Sequence, residues 1–408
     1  MPAISFADII AARDRIAGGI ALTPCPYSAP LSEICGCEVY CKLELLQRTG
    51  SFKERGARNA LLLLDAEQKM RGVIAASAGN HALALAYHGT QLGIPVTVVM
   101  PTYAPLVKQV NCRRAGAKIV MHGASFGEAK AKADEIAAEQ SLTYIHGYDN
   151  LAIIAGQGTL GLEVAEQVPN LDAIIVPIGG GGLMAGVATA LKHLKPSIEV
   201  IGVEPAHSTC FTSALAEGHC VRVPSQPTLA DGLAVGIMGE NAFEIARPLV
   251  DRVIKVSEGE IALAIVRLME LEKSVVEGAG AASLAAILSG QLADLAGKKV
   301  ALVLTGGNID LTILSRLIES ALVVDGRLVR FTASISDRPG GLARLTSLIA
   351  AAGGSVKEIT HDRLFSGPNV AAVNVLCTVE TRDQAHIEEL YRHLTANGVR
   401  HFAHLGRE

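Results

Sequence analysis

Ser51-Phe52-Lys53-Glu54-Arg55-Gly56 sets one lysine between the polar loop Gln47-Arg48-Thr49-Gly50 and the apolar run Ala57-Arg58-Asn59-Ala60-Leu61-Leu62-Leu63. A lysine at the buried start of a helix is partly desolvated. Desolvation lowers its pKa and frees the amine lone pair that imine chemistry requires. By itself the stretch also reads as an ordinary solvated helix start, so its meaning depends on what lies on either side.

Upstream, Ser5-Phe6-Ala7-Asp8 forms a capping-box variant for a helix over Ile9–Ile16, ended by Gly18-Gly19. Glu38–Glu44 reads as a strand that delivers the chain to Lys53. Downstream, short apolar strands alternate with helical patterns. Strands are predicted over 72–76, 96–101, 117–121 and 143–146, with helices ending near Leu92 and spanning 105–114 and 128–140. A second run has a helix over 160–167, a strand over 173–177, a helix over 183–194 and strands over 199–204 and 299–304. Alternation at this spacing means an α/β fold with parallel sheets covered on both faces. Two lobes with a site in the cleft between them follow from it.

After about Val324 the pattern changes. Strands over 329–335, 356–360, 370–378 and 399–402, with helices over 342–351 and 384–394, give β-α-β-β-α-β, a ferredoxin-like unit. The expected domains are therefore a catalytic unit over 1–324, with a small lobe at about 54–149 inserted in a large lobe, a linker at 325–328 and a second domain over 329–408.

At 408 residues, with 50% hydrophobic and 19% charged, the chain has the core of a globular enzyme of more than one domain. A net charge of −4 gives no electrostatic reason to expect nucleic acid or an anionic membrane. No apolar run reaches the ~20 residues of a membrane span, and the N-terminus lacks a signal-peptide pattern. Eight scattered cysteines without disulfide or zinc spacing point to reduced thiols and a cytoplasmic protein.

Three further motifs bear on Lys53. Gly179-Gly180-Gly181-Gly182 follows a buried strand and opens a helix, where open N–H groups and the helix dipole suit a phosphate. The run also contains Gly180-x-Gly182-x-x-Ala185 with Glu204 near the end of the next strand, so a dinucleotide fingerprint is the competing reading. Ser77-Ala78-Gly79-Asn80-His81 is another strand-to-helix turn, either an ordinary N-cap or a seat for a carboxylate. Thr305-Gly306-Gly307-Asn308 ends a strand, as a β-turn or as a ligand contact that offers a hydroxyl.

Taken in order, these motifs resemble those of the pyridoxal-phosphate (PLP) enzymes of fold type II, the tryptophan-synthase-β family, and most closely its threonine dehydratases. The resemblance implies that Lys53 carries PLP on its side-chain amine with Phe52 beside the ring. It further implies that Asn80 meets the ring hydroxyl, that Gly179–Gly182 with Leu183 hold the phosphate, and that Thr305 faces the pyridine nitrogen. Ser77, Ala78, Gly79, Asn80 and His81 would bind the amino-acid substrate. The relatives carry Ser or Cys where this chain has Thr305. The C-terminal unit, through Asp337-Arg338-Pro339-Gly340-Gly341-Leu342, resembles an ACT domain, which implies an amino-acid effector (isoleucine, opposed by valine) and a homo-oligomer, tetramer or dimer.

The implied reaction is dehydration and deamination of L-threonine, and of L-serine, to a 2-oxo acid and ammonia. A hydroxyl at Thr305 cannot hold the ring nitrogen protonated as a carboxylate would, which favours elimination over transamination. Serine racemase, serine dehydratase and phenylserine dehydratase are alternatives within the family. An NAD-dependent oxidoreductase gives Lys53 and Asn80 no role, and a vestigial amino-acid-binding regulator leaves the intact motifs unexplained. No metal is expected; the segment Thr228–Gly232 resembles a cation-binding segment but carries only Asp231.

Overall fold

The computed structural model describes residues 4–224, 226–362 and 372–403. Nine strands of the first unit, Met1–Asp310, are β1 (Glu38–Leu43), β2 (Val73–Ala76), β3 (Val96–Met100), β4 (Lys118–Met121), β5 (Thr143–Tyr144), β6 (Ala173–Pro177), β7 (Glu199–Pro205), β8 (Arg252–Val256) and β9 (Lys299–Leu304). They form two parallel sheets, in the orders β1-β9-β6-β7-β8 and β4-β3-β2-β5. Parallel strands with helices on both faces lie in apolar surroundings on each side. Accordingly β2 and β6 are buried at every position, as their unbroken apolar sequences predict.

The helix expected over 160–167 starts nine residues earlier and spans Leu151–Gln167. Asn150 caps it, its side chain accepting from the Ala152 and Ile153 amides at 2.9 and 3.2 Å. Glycines at 156, 158 and 161 dilute the helical pattern in the sequence, and the packing explains them. A Cβ on Gly156 would stand 2.6 Å from the Gly56 Cα, and one on Gly158 2.9 Å from the Gly186 carbonyl. Close backbone approach on both sides holds this helix against Lys53–Leu62 and Gly182–Leu194. Beyond the expected elements the unit contains, among others, helices Ala29–Cys35, Glu258–Leu271 and Gly278–Leu288 and strand β8.

Charged residues lie beneath the start of the Lys53 helix. Arg55, fully buried, donates to both oxygens of Glu44 (2.8 and 2.7 Å) and of Glu163 (2.6 and 2.8 Å). Buried Lys42 donates to Glu163 at 2.6 Å. Burial opposes ionisation of Glu44, but the Arg55 guanidinium, with Lys42 and Thr23, outweighs it and holds the carboxyl below its ordinary range. The network fixes the helix two residues beyond Lys53.

The second unit, Leu311–Glu408, contains helix Leu311–Val324, then β10 (Leu328–Ser336), helix Gly341–Ala351, β11 (Ser355–Asp362), β12 (Ala372–Glu380), helix Gln384–Ala396 and β13 (Arg400–Ala403). Its strands form an antiparallel sheet in the order β11-β12-β10-β13. This is the β-α-β-β-α-β arrangement expected, packed around Phe331, Leu345, Ile349, Val375 and Leu390. The expected strand start at Val370 lies outside the described residues. The division falls at 310, one helix before the expected 324. Helix Leu311–Val324 belongs with the second unit, where Glu319 pairs with Lys357 of β11 at 2.7 Å.

Candidate active site

Lys53 is the first residue of helix Lys53–Leu62, and its amine donates to the Gly147 carbonyl at 2.8 Å. Burial pushes its pKa down to about 8, with the Glu277 carboxyl pulling the other way. The amine sits 5.1 Å from the centre of the Phe52 ring. The turn before it is stitched to the end of β9: the Phe52 amide donates to the Thr305 carbonyl at 3.0 Å, and the Gly307 amide to the Gly50 carbonyl at 2.9 Å. Lys53, Phe52 and Thr305 therefore share one corner of the fold, with Thr305 buried.

The glycine run continues β6. Gly181 takes a left-handed conformation (φ 91°) that a side chain would strain, and caps helix Gly182–Leu194. A Cβ on Gly180 would fall 2.2 Å from the Tyr148 ring, and one on Gly182 2.4 Å from the Tyr148 carbonyl. The loop can present only backbone, and its N–H groups open at a helix N-terminus, which fits a phosphate. The Leu183 side chain packs into the apolar core, so its contribution to the loop is its backbone amide.

Ser77, Ala78 and Gly79 connect β2 to helix Asn80–Leu92, with the Gly79 amide donating to Ser77 Oγ at 3.3 Å. Asn80 opens that helix and makes two side-chain bonds: its Nδ2 donates to Glu277 Oε1 at 2.8 Å, and its Oδ1 accepts from Asn308 Nδ2 at 2.9 Å. His81 is buried with Nε2 3.1 Å from the Ile145 carbonyl. Desolvation, and then the Lys53 charge, push its pKa down to about 3, so it is neutral. A pocket of about 150 Å³ opens here, lined by Gly79, Asn80, Lys108, Gly307 and Asn308 among others. A larger one of about 360 Å³, lined by Phe6, Leu162 and Leu191 among others, contains none of these groups.

The structure thus brings the candidate motifs together and adds residues that no motif announced. Gly147 and Tyr148 join the lysine to the glycine loop, and Glu277 joins Asn80 to the turn after β9. Glu277 precedes Gly278-Ala279-Gly280, a string of small residues that carries no sign of a site. Asp231 is paired with Lys108 at 2.5 Å, and among the described residues no cluster of His, Cys, Asp and Glu could hold a metal ion.

Three observations test the fit of PLP. A side-chain-free glycine cradle suits a phosphate, and a buried amine of lowered pKa suits a carbonyl. Beside them, Ser51 Oγ and His81 Nδ1 are buried polar atoms without a protein partner. The residues fit. A family model for pyridoxal-phosphate-dependent enzymes matches residues 16–306, and the chain belongs to that family. Within it, the chain is 42% identical over 395 residues to the L-threonine ammonia-lyase of Thermotoga maritima, covering 97% of this chain and 98% of that protein. Among solved structures, the serine racemase of Dictyostelium discoideum is 39% identical with a TM-score of 0.72, over 76% of this chain and 99% of that one. The processed form of threonine deaminase isoform 2 from Solanum lycopersicum is 35% identical with a TM-score of 0.73, over 77% and 92%. Among the described residues, no helix is long and apolar enough to cross a membrane.

Proposed function

We propose that the chain is a threonine ammonia-lyase that converts L-threonine, and also L-serine, to the 2-oxo acid and ammonia. The observation that carries this reading is similarity at full length: the Thermotoga maritima L-threonine ammonia-lyase aligns with 97% of this chain.

The bound cofactor supplies an electron sink for the pair left behind when the substrate's α-proton is removed. Lys53 would hold the cofactor through its amine, and the same amine, when free, would take the substrate's α-proton. A buried amine with a pKa near 8 does this because it is neutral often enough and still basic enough. The turn from Ser77 to His81, at a helix N-terminus, seats the substrate carboxylate, and neutral His81 adds no charge there. The Gly179–Gly182 amides, with that of Leu183, would hold the phosphate, Asn80 would meet the ring hydroxyl, and Thr305 would offer a hydroxyl to the ring nitrogen. The β-hydroxyl takes up a proton and leaves as water, which balances the α-proton removed, and hydrolysis of the released imine consumes one water and frees ammonia.

The second unit is read as an ACT-type regulatory domain that binds isoleucine or valine within a homo-oligomer, on the support of its strand order. Eight free thiols, most of them buried, agree with a cytoplasmic enzyme. Assays of 2-oxo acid formation from L-threonine, L-serine and phenylserine, with chiral analysis of serine, test the reading. Racemisation without ammonia release would replace it by a racemase.

A further inference from the structure

Glu277 has no role in the chemistry described so far, yet it is buried against the centre of the site. Its amide donates to the Gly306 carbonyl at 3.0 Å, and its Oε1 accepts from Asn80 Nδ2 at 2.8 Å. The space for its carboxyl exists because Gly306 has no side chain: a Cβ there would stand 2.5 Å from Oε1. Asn308 closes the arrangement. Its side chain donates to Asn80 Oδ1 at 2.9 Å and to the Thr49 carbonyl at 2.7 Å. With Oδ1 and one Nδ2 hydrogen engaged, the Asn80 amide has one orientation and one hydrogen left to donate.

We propose that Glu277 is a positioning residue that grips Asn80 in its protonated form, so that cofactor affinity follows the charge on Glu277. This rests on the reading that Asn80 meets the cofactor's ring hydroxyl. An ionised carboxylate on the same amide would set a second negative charge beside that oxygen. The neutral acid accepts the Asn80 hydrogen bond without doing so.

The groups facing Glu277 come from each element around it. Asp231, on the turn Asp231–Leu233, repels its negative charge, while Lys108, on helix Leu106–Arg114, favours it. Asn80 and the Asn308 amide bond to the ionised form, and Lys53 lies within electrostatic reach. Burial is the largest influence, followed by Asp231, and they raise the carboxyl to about 7. A folded pKa above the unfolded value of 4.5 means that the carboxyl's contribution to stability is present at low pH and lost as pH rises through about 7.

Two measurements test this, on the wild type, Glu277→Gln and Asp231→Asn. The first is thermal melting of the cofactor-free protein against pH. The wild type should lose stability relative to Glu277→Gln as pH rises to about 7, and Asp231→Asn should move that change to lower pH. The second is titration of the cofactor-free protein with PLP, followed by absorbance. Wild-type affinity should fall several-fold as pH rises above about 7 relative to Glu277→Gln, which retains an acceptor for Asn80. Glu277→Ala should bind weakly at every pH. Superimposable wild-type and Glu277→Gln profiles in both measurements would overturn the proposal, as would a Glu277→Ala affinity equal to that of the wild type. If instead wild-type PLP is not trapped on Lys53 by borohydride, the reading of the site itself fails.

Discussion

The Lys53 amine donates to the Gly147 carbonyl at 2.8 Å, and the next residue, Tyr148, lays its ring over Gly180. One short segment therefore sets the distance between the reactive amine and the glycine cradle. It lies just before Asn150, the cap of helix Leu151–Gln167, so a rigid element holds it in place.

Replacing Lys53 by Ala removes both the attachment point and the base. Turnover should drop by at least about 100-fold, with borohydride labelling lost at this position alone. Label found on another lysine would move the site. In the cofactor-free protein, the rate at which PLP is captured on Lys53 should rise with pH through about 8 as the buried amine loses its proton, and a flat profile there would contradict the assignment.

Gly180→Ala drives a methyl group into the Tyr148 ring. Overpacking of this kind destabilises by about 1–3 kcal/mol, and here it also shifts the cradle. Denaturant melts and PLP titration should both show the loss, and adding Tyr148→Ala should restore part of the stability. Unchanged cofactor affinity in Gly180→Ala would separate this loop from the phosphate.

Thr305→Asp sets a carboxylate at the end of β9. If Thr305 faces the ring nitrogen, elimination should slow and a long-wavelength absorbance should persist during turnover. Unchanged rates with no new band would place Thr305 elsewhere.

Arg55→Ala should cost about 3–5 kcal/mol, because Glu44 would be left buried without its main counter-charge. Glu44 has a folded pKa below its unfolded one, so its contribution is present at neutral pH and lost as pH falls through the folded value. Acid denaturation of Arg55→Ala should therefore begin at higher pH than that of the wild type.

A chain ending at Asp310 tests the second unit. It should keep the cofactor spectrum and threonine turnover while losing any response to isoleucine. Typical allosteric coupling is about 1–3 kcal/mol, or roughly 5–150-fold in affinity. A response that survives the truncation would locate the effector in the first unit.

The sequence by itself determined the alternation of strands and helices, the β-α-β-β-α-β order of the second unit, and the Lys53 stretch with its three companion motifs. Each is carried by neighbours in the chain: an apolar run long enough for a buried strand, a glycine run, a lysine at a helix start. It missed the first nine residues of helix Leu151–Gln167, where glycines at 156 and 158 dilute the helical pattern. Only the packed helices beside them show that they allow close approach. The tertiary structure alone decided Glu277, which is 197 residues from Asn80 in the chain and 2.8 Å from it in space. A buried carboxyl takes its meaning from the groups that surround it, and those groups meet only when β9, the turn at Asp231 and the Asn80 helix converge.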